Sequence, residues 1–356
     1  MEYKQTSKFL LRLMVLVQLS SVVFAEMKAD SHGPIGVMGD HMHKKGGFMT
    51  SYRYMHMDMG GIQNKGANIA ANLVANTVAN RFSEISGQPA TLRVVPNAMN
   101  THMHMFGAMY APNDKLTLMA MGSYVEKKMK LTTYKGASGV EVRDAFTTQS
   151  SGWGDLKLLG LIKLFNKNRH HVHLALGSLL PTGSTSETDQ VLTPMGMRPT
   201  KRLPYGMQLG SGNYGILNGL TYHGSCHQYT WGVQYSGTEF LGRHNGYRKG
   251  KQREATIWTS FSPTKSISTS ARLKYRYEGK IKGIDPNIVL PTQTANPDYY
   301  GGNIITILVG LNWVCQSGSF KGVRVALEAG LPLLQELNGI QLEQNFSLMT
   351  GLQYAF

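Results

Sequence analysis

Period-two alternation of apolar and polar side chains runs through most of this chain. Segments of this kind recur from residue 47 to the end, at 47–59, 99–111, 115–129, 152–165, 169–181, 207–222, 227–241, 252–262, 266–279, 302–316, 321–331 and 344–356. Alternation over such lengths reads as strands with one apolar face. Most are about ten residues or longer, enough for a tilted strand to cross a bilayer. Their connections alternate too. Short ones fall near 112–115, 166–168, 223–226, 262–265 and 317–320, and long ones span 60–98, 130–151, 182–206, 242–251, 280–301 and 332–343. Short turns on one side, long loops on the other and an even strand number predict a single all-β, antiparallel transmembrane barrel over residues 47–356, with short periplasmic turns and long extracellular loops.

The last segment sets the phase. In "NFSLMTGLQYAF", Phe346, Leu348, Leu352, Tyr354 and Phe356 share one face, and Asn345, Ser347, Met349, Gly351 and Gln353 share the other. The first face suits lipid with an aromatic girdle, and the second suits a polar interior. A terminal Phe with Tyr two before it also resembles the C-terminal signal of outer-membrane barrels, which makes the barrel-assembly machinery an expected partner through Tyr354 and Phe356.

The N-terminus agrees with export. Lys4, Lys8 and Arg12 precede an apolar run from Leu13 to Ala25, and Val23 and Ala25 match a small-residue cleavage site. Residues 1–25 therefore read as a cleaved secretory signal peptide. Residues 26–46 form a Met/His-bearing segment expected at the periplasmic mouth, where it plugs the pore or delivers metal. Net charge is +15. Its basic residues are dispersed, and export argues against nucleic acid as a partner. An anionic surface such as outer-membrane lipid and lipopolysaccharide is the natural neighbour. Cys226 and Cys315 lie in different strand candidates and show no disulfide framework or paired-cysteine metal site.

Charged residues must avoid lipid. This turns Arg272, Lys274 and Arg276 of "SISTSARLKYRYEGK" into the lumen, and with them Arg53, Arg324 and Glu328. These six are the candidate solute path. The same rule phases "GGFMTSYRYMHMDMGG": with Arg53 inside, Met49, Met55, Met57 and Met59 face inward and Phe48, Tyr52 and Tyr54 face lipid. In the next two segments Met103, Met105, Met109, Met119 and Met121 also point inward, whereas His102 and His104 take the outer phase.

Thirteen of the twenty methionines lie between Met38 and Met129, so the clustering needs a cause. One reading is packing, since methionine is a pliable filler. The other is metal handling, because thioethers suit Cu(I) and imidazoles suit Cu(II) or zinc. On that reading His41, Met42, His43, Met55, Met57, Met59, Met103, Met105, Met119 and Met121 are candidate ligands, with copper as the possible ion and no cofactor required.

The blocks "GPIGVMGDHMHKKGGFMTSYRYMHMDM", "HMHMFGAMYAPNDKLTLMAMGSYV", "LPYGMQLGSGNYGILNGLTYHG" and "ALEAGLPLLQELNGIQLEQNFSLMTGLQYAF" resemble bacterial outer-membrane transporter-like proteins grouped with the MetA-pathway of phenol degradation barrels. The resemblance spans nearly all of the chain after the leader. It implies one outer-membrane barrel and uptake of aromatic compounds. Nothing points to an enzyme: G-x-S-x-G, H-E-x-x-H and a P-loop are all absent, and "GSGNYG" lacks a strand–turn–helix setting. The expected function is an outer-membrane channel for small solutes with a Met/His-rich lumen. A non-conducting metal-binding barrel and an aromatic uptake channel stand as alternatives.

Overall fold

The structure is a computed structural model and describes residues 32–356. The leader and cleavage site expected at residues 1–25 lie outside the described residues. Twelve antiparallel strands close into a barrel. They are β1 (Phe48–Asn64), β2 (Val94–Asn113), β3 (Leu116–Tyr134), β4 (Val142–Trp153, continued by Leu156–Lys167), β5 (His170–Leu180), β6 (Gly215–Cys226), β7 (Tyr229–Phe240), β8 (Gln252–Phe261), β9 (Ile267–Glu278), β10 (Gly302–Val314), β11 (Arg324–Leu337) and β12 (Ile340–Ala355). β12 returns to β1, with Met49 opposite Ala355 and Arg53 opposite Gly351, and this pairing closes the barrel.

The connections follow the expected asymmetry, and the exceptions have physical causes. At one end lie tight turns such as 168–169, where Asn168 and Arg169 both take left-handed φ values of 53° and 65°, the pair a two-residue hairpin demands. At the other end lie loops 65–93, 181–214, 241–251 and 279–301. The long loop expected at 332–343 is instead strand: β11 and β12 run on to a tight turn at 338–339, where Gly339 has φ 69°. Pro332 suggests a break, but it sits where the β10–β11 register shifts, a place where a missing N–H costs little. The loop expected at 130–151 likewise shrinks to 135–141. Strands that protrude beyond the bilayer tolerate charges such as Glu126 and Lys130 without ending.

β4 is interrupted at Gly154 and Asp155. Its first part pairs with the outer half of β3, and its second part pairs with both β3 and β5. The Asp155 carboxylate accepts the backbone N–H groups of Gly183 and Ser211, so the break anchors both ends of loop 181–214.

The outer surface carries an apolar belt. Phe106, Leu118, Leu176, Ile257, Leu273, Val309 and Leu327 are all exposed on the outward phase, as a bilayer requires and water would not reward. Phe48, Phe356 and Tyr354 form an aromatic rim at the turn end, with ring centroids 5.7 and 4.5 Å apart. Among the described residues, no helix is long and apolar enough to cross a membrane.

Candidate functional site: the lumen, its plug and its roof

Residues 32–45 do not stop at the mouth. They enter the barrel from the end that carries the tight turns and fold back on themselves inside it. A turn closes through Val37 N–H donating to the Pro34 carbonyl at 2.9 Å, and Gly39 takes φ 62°. Ile35 and Val37 end up buried. We call this segment the plug.

One side of the lumen holds the plug by directed bonds. Arg272 of β9 and Glu328 of β11 form a buried bidentate ion pair, both bonds at 2.8 Å. The same carboxylate accepts the plug's Gly36 N–H at 3.0 Å. Arg324 donates to the Gly33 carbonyl and to Asn312, each at 2.6 Å, and also to Gln353. Gln234 donates to the Met38 carbonyl at 3.0 Å, and His173 lies 2.8 Å from the Gly39 carbonyl. Charge-assisted bonds of this kind are strong, and buried charges need such partners to be tolerated. Gly36 suits this close approach because a Cβ there would lie 2.3 Å from both Arg272 Nη2 and Glu328 Oε2.

The opposite side is sulfur and hydrocarbon. Strand register stacks the methionines in rows, because directly opposed residues share a face. Met49 of β1 faces Met109 of β2, which faces Met119 of β3. Nearer the outer end, Met55 faces both Met103 of β2 and Met349 of β12. Met49, Met109, Met119, Met121 and Leu161 form one buried cluster, and the plug's Met38 and Met42 pack against it. Met55, Met57 and Met103 are only half-buried.

The histidines interleaved with these methionines sit on the other face of the sheet. The Tyr52 hydroxyl lies 2.8 Å from His104 Nδ1, and the Tyr54 hydroxyl lies 2.6 Å from His102 Nδ1. His56 and His102 rings are 4.7 Å apart on that outer face. A strand sends neighbouring residues to opposite sides, so the sequence mixture "MHM" separates into two chemistries.

The remaining sequence candidates divide as follows. Arg53 is buried on the lumen side, facing Met105 across the ladder. Arg272, Arg324 and Glu328 converge on the plug. Lys274 and Arg276 are half-buried, and Arg276 reaches Glu278 at 3.3 Å. Met59 packs under the helix α1 (Ala71–Thr77) of loop 65–93. Met42 joins the methionine cluster, and His43 donates its backbone N–H to Thr117 at 3.1 Å. His41 packs edge-on against the His43 ring, centroids 4.9 Å apart, and has two polar partners. One is Asp40, with Oδ1 2.9 Å from His41 Nδ1, and the other is His32, with the two Nδ1 atoms 3.3 Å apart. Sequence reasoning missed His32. The available signal was a histidine followed by Gly33 and Pro34, a turn that can fold it back onto the Asp40–His41 pair.

Burial holds the His32 imidazole well below its usual range, and it is therefore neutral near pH 7. Burial works against the Asp40 carboxylate, but His41, His32 and Arg324 together outweigh it, and the carboxyl lies well below its ordinary value.

The outer end is roofed. Arg93 donates to the carbonyls of Ala75, Lys135, Gly136, Ser138 and Gly139, tying two loops together. Phe82, Tyr205, Tyr247, Ile281, Ile288 and Leu290 form an apolar core contributed by four loops. A small apolar cavity between this roof and the wall is lined by Val94, Met129, Leu131, Val191, Leu203 and Leu290, among others.

No protein-family model matches the chain, and no curated protein matches it in sequence. Among solved structures it is similar to an outer-membrane channel from Pseudomonas putida F1, with TM-score 0.56, 14% identity, 90% of this chain covered and 100% of that one. The fold is that of a Gram-negative outer-membrane β-barrel. Weaker likenesses are to the transport unit of the autotransporter AIDA-I from Escherichia coli, with TM-score 0.45, 12% identity and coverage of 92% and 95%. Another is the toluene transporter TbuX of Ralstonia pickettii, with TM-score 0.43, 10% identity and coverage of 88% and 90%.

Proposed function

We propose that this protein is a gated outer-membrane channel for small solutes with an apolar or aromatic body, and that the structure is its closed state. The observation that carries this reading is the half-buried thioether surface of Met55, Met57 and Met103, which faces the lumen above the plug and below the roof. A polar solute gains little from such a wall. An aromatic ring against methionine sulfur gains about 0.3–1.5 kcal/mol per contact, weak enough to bind and release repeatedly. The kinship with MetA-pathway barrels belongs to the same proposal, as do insertion into lipopolysaccharide-bearing membrane through Tyr354 and Phe356 and the absence of a catalytic step. A soft-metal path would use the same thioethers, with copper(I) as its ion. The solute reading is favoured because His56, His102 and His104 point away from that wall.

The plug is the gate on this reading, and Gly36 is where it can be evicted without touching the barrel. Gly36→Ala puts a methyl group into the Arg272–Glu328 pair. The expected result is a barrel of unchanged heat-modifiability with larger single-channel conductance in planar bilayers. Cells carrying the variant should take up a radiolabelled monoaromatic compound faster than cells with the parent chain. Conductance and uptake equal to those of an empty-vector control, for parent and variant alike, would end the channel reading.

A further inference from the structure

We infer that the plug contains a binding site for a divalent cation of the zinc class, formed by His32, Asp40 and His41. One ligand atom from each of the three lies within 4.8 Å of the other two, and the close pairs run through Nδ1 of both histidines and Asp40 Oδ1. The contacts at 2.9 Å (Asp40–His41) and 3.3 Å (His32–His41) are close to the roughly 3.3 Å edge that ligands about 2.0 Å from a tetrahedral ion must have. Two imidazoles and a carboxylate are a zinc-type donor set, and three protein ligands leave one position open.

Hydrogen bonding alone serves these groups poorly. His41 Nδ1 stands between a carboxylate oxygen and another imidazole nitrogen. If it carries a proton, Asp40 and His32 must share it. If it does not, its lone pair faces the carboxylate. With both Nδ1 atoms protonated, two N–H groups oppose each other. Nε2 of His32 and Nε2 of His41 are both buried without a partner. A proton on Nε2 of each ring leaves both Nδ1 lone pairs turned toward Asp40 Oδ1 and toward each other, a repulsion that a cation between them relieves. The rest of the arrangement is firm. Asp40 Oδ2 is held by Gly33 N–H at 2.6 Å, which turns Oδ1 toward His41. Arg324 fixes the Gly33 carbonyl beside it.

An ion here would join residue 32 to residues 40 and 41, closing the turn that presents Ile35 and Val37 to the barrel. It would staple the plug in its folded form. The site differs from the sulfur wall in both location and ion class: it takes a borderline metal through nitrogen and oxygen, with no thioether among its ligands. Arg324 stands close by, so the affinity is moderate.

The test uses the full-length mature protein in detergent, titrated with zinc alone and, separately, with Co(II). The expected result is one equivalent of zinc per chain and a Co(II) visible spectrum of tetrahedral intensity. His32→Ala, Asp40→Asn and His41→Ala should each weaken zinc at least tenfold, while Met119→Leu/Met121→Leu leaves it unchanged. Heat-modifiability on gels confirms that each variant barrel is folded, since none of the three residues lies in the wall. No saturable zinc binding by the parent chain, or equal affinity in all three variants, would overturn the site and identify the cluster as an imidazolium–carboxylate pair. Neither result depends on whether the barrel conducts.

Discussion

The lumen has two walls that do opposite jobs with the same backbone. From β7 to β12, polar inward side chains hold the plug at named atoms: Glu328 at Gly36, Arg324 at Gly33 and Gln234 at Met38. From β1 to β3 the inward methionines meet the plug's Met38 and Met42 by contact alone. Hydrogen bonds are directional and fix position to a fraction of an ångström. Thioether contacts are non-directional and adapt to shape. The polar wall therefore decides where the plug sits. The methionine wall accepts whatever shape is placed against it, including a transiting solute.

Substitutions can break that division. The largest expected effect is on the polar wall. Glu328→Ala leaves Arg272 buried and uncompensated and should cost about 3–5 kcal/mol, measured as unfolding free energy in denaturant. Next comes Met119→Ala, which opens a cavity behind the plug and should cost about 2–3 kcal/mol, the low end for core truncations because the plug can settle into it. His173→Ala removes the bond to Gly39 and should cost about 1–2 kcal/mol, with the loss appearing mainly as higher conductance. The smallest effect is expected for Met119→Leu/Met121→Leu, below about 1.5 kcal/mol per site because volume is kept. If the leucine pair cost as much as Glu328→Ala, the methionine wall would be a specific binding surface in its own right and the comparison would fail.

The barrel was readable from residues because alternation is local. Arg53 and Phe48, five positions apart, suffice to phase β1, and Phe346 with Gln353 phases β12. Loop ends were less readable. The β11–β12 hairpin hid behind Pro332, whose meaning depends on a register shift in the neighbouring strand. The plug was legible as a Met/His-bearing segment at the mouth that plugs the pore or delivers metal, but its depth was not. Its depth depends on Gly36 fitting against an ion pair formed by residues far along the chain, and no local pattern announces such a fit. The proposed ligand His32 escaped notice for the same reason, whereas His41 was noticed and its neighbours Met42 and His43 were grouped with it by proximity in sequence. In the structure His41 meets Asp40 and His32, Met42 joins the methionine cluster, and the His43 ring stands edge-on to His41 with centroids 4.9 Å apart.

The sequence by itself determined that the chain forms a closed, lipid-facing strand barrel with methionines inside on one flank. Period-two alternation, the C-terminal aromatic residues and the cost of a charge in lipid are properties of neighbouring residues. Only the tertiary structure decided that residues 32–45 enter the lumen itself, that Arg272 and Arg324 of the candidate solute path hold them there, and that histidines and methionines adjacent in strand sequence serve separate faces. Those outcomes depend on which distant side chains meet across the barrel, and that is set by closure of the sheet, not by any local stretch.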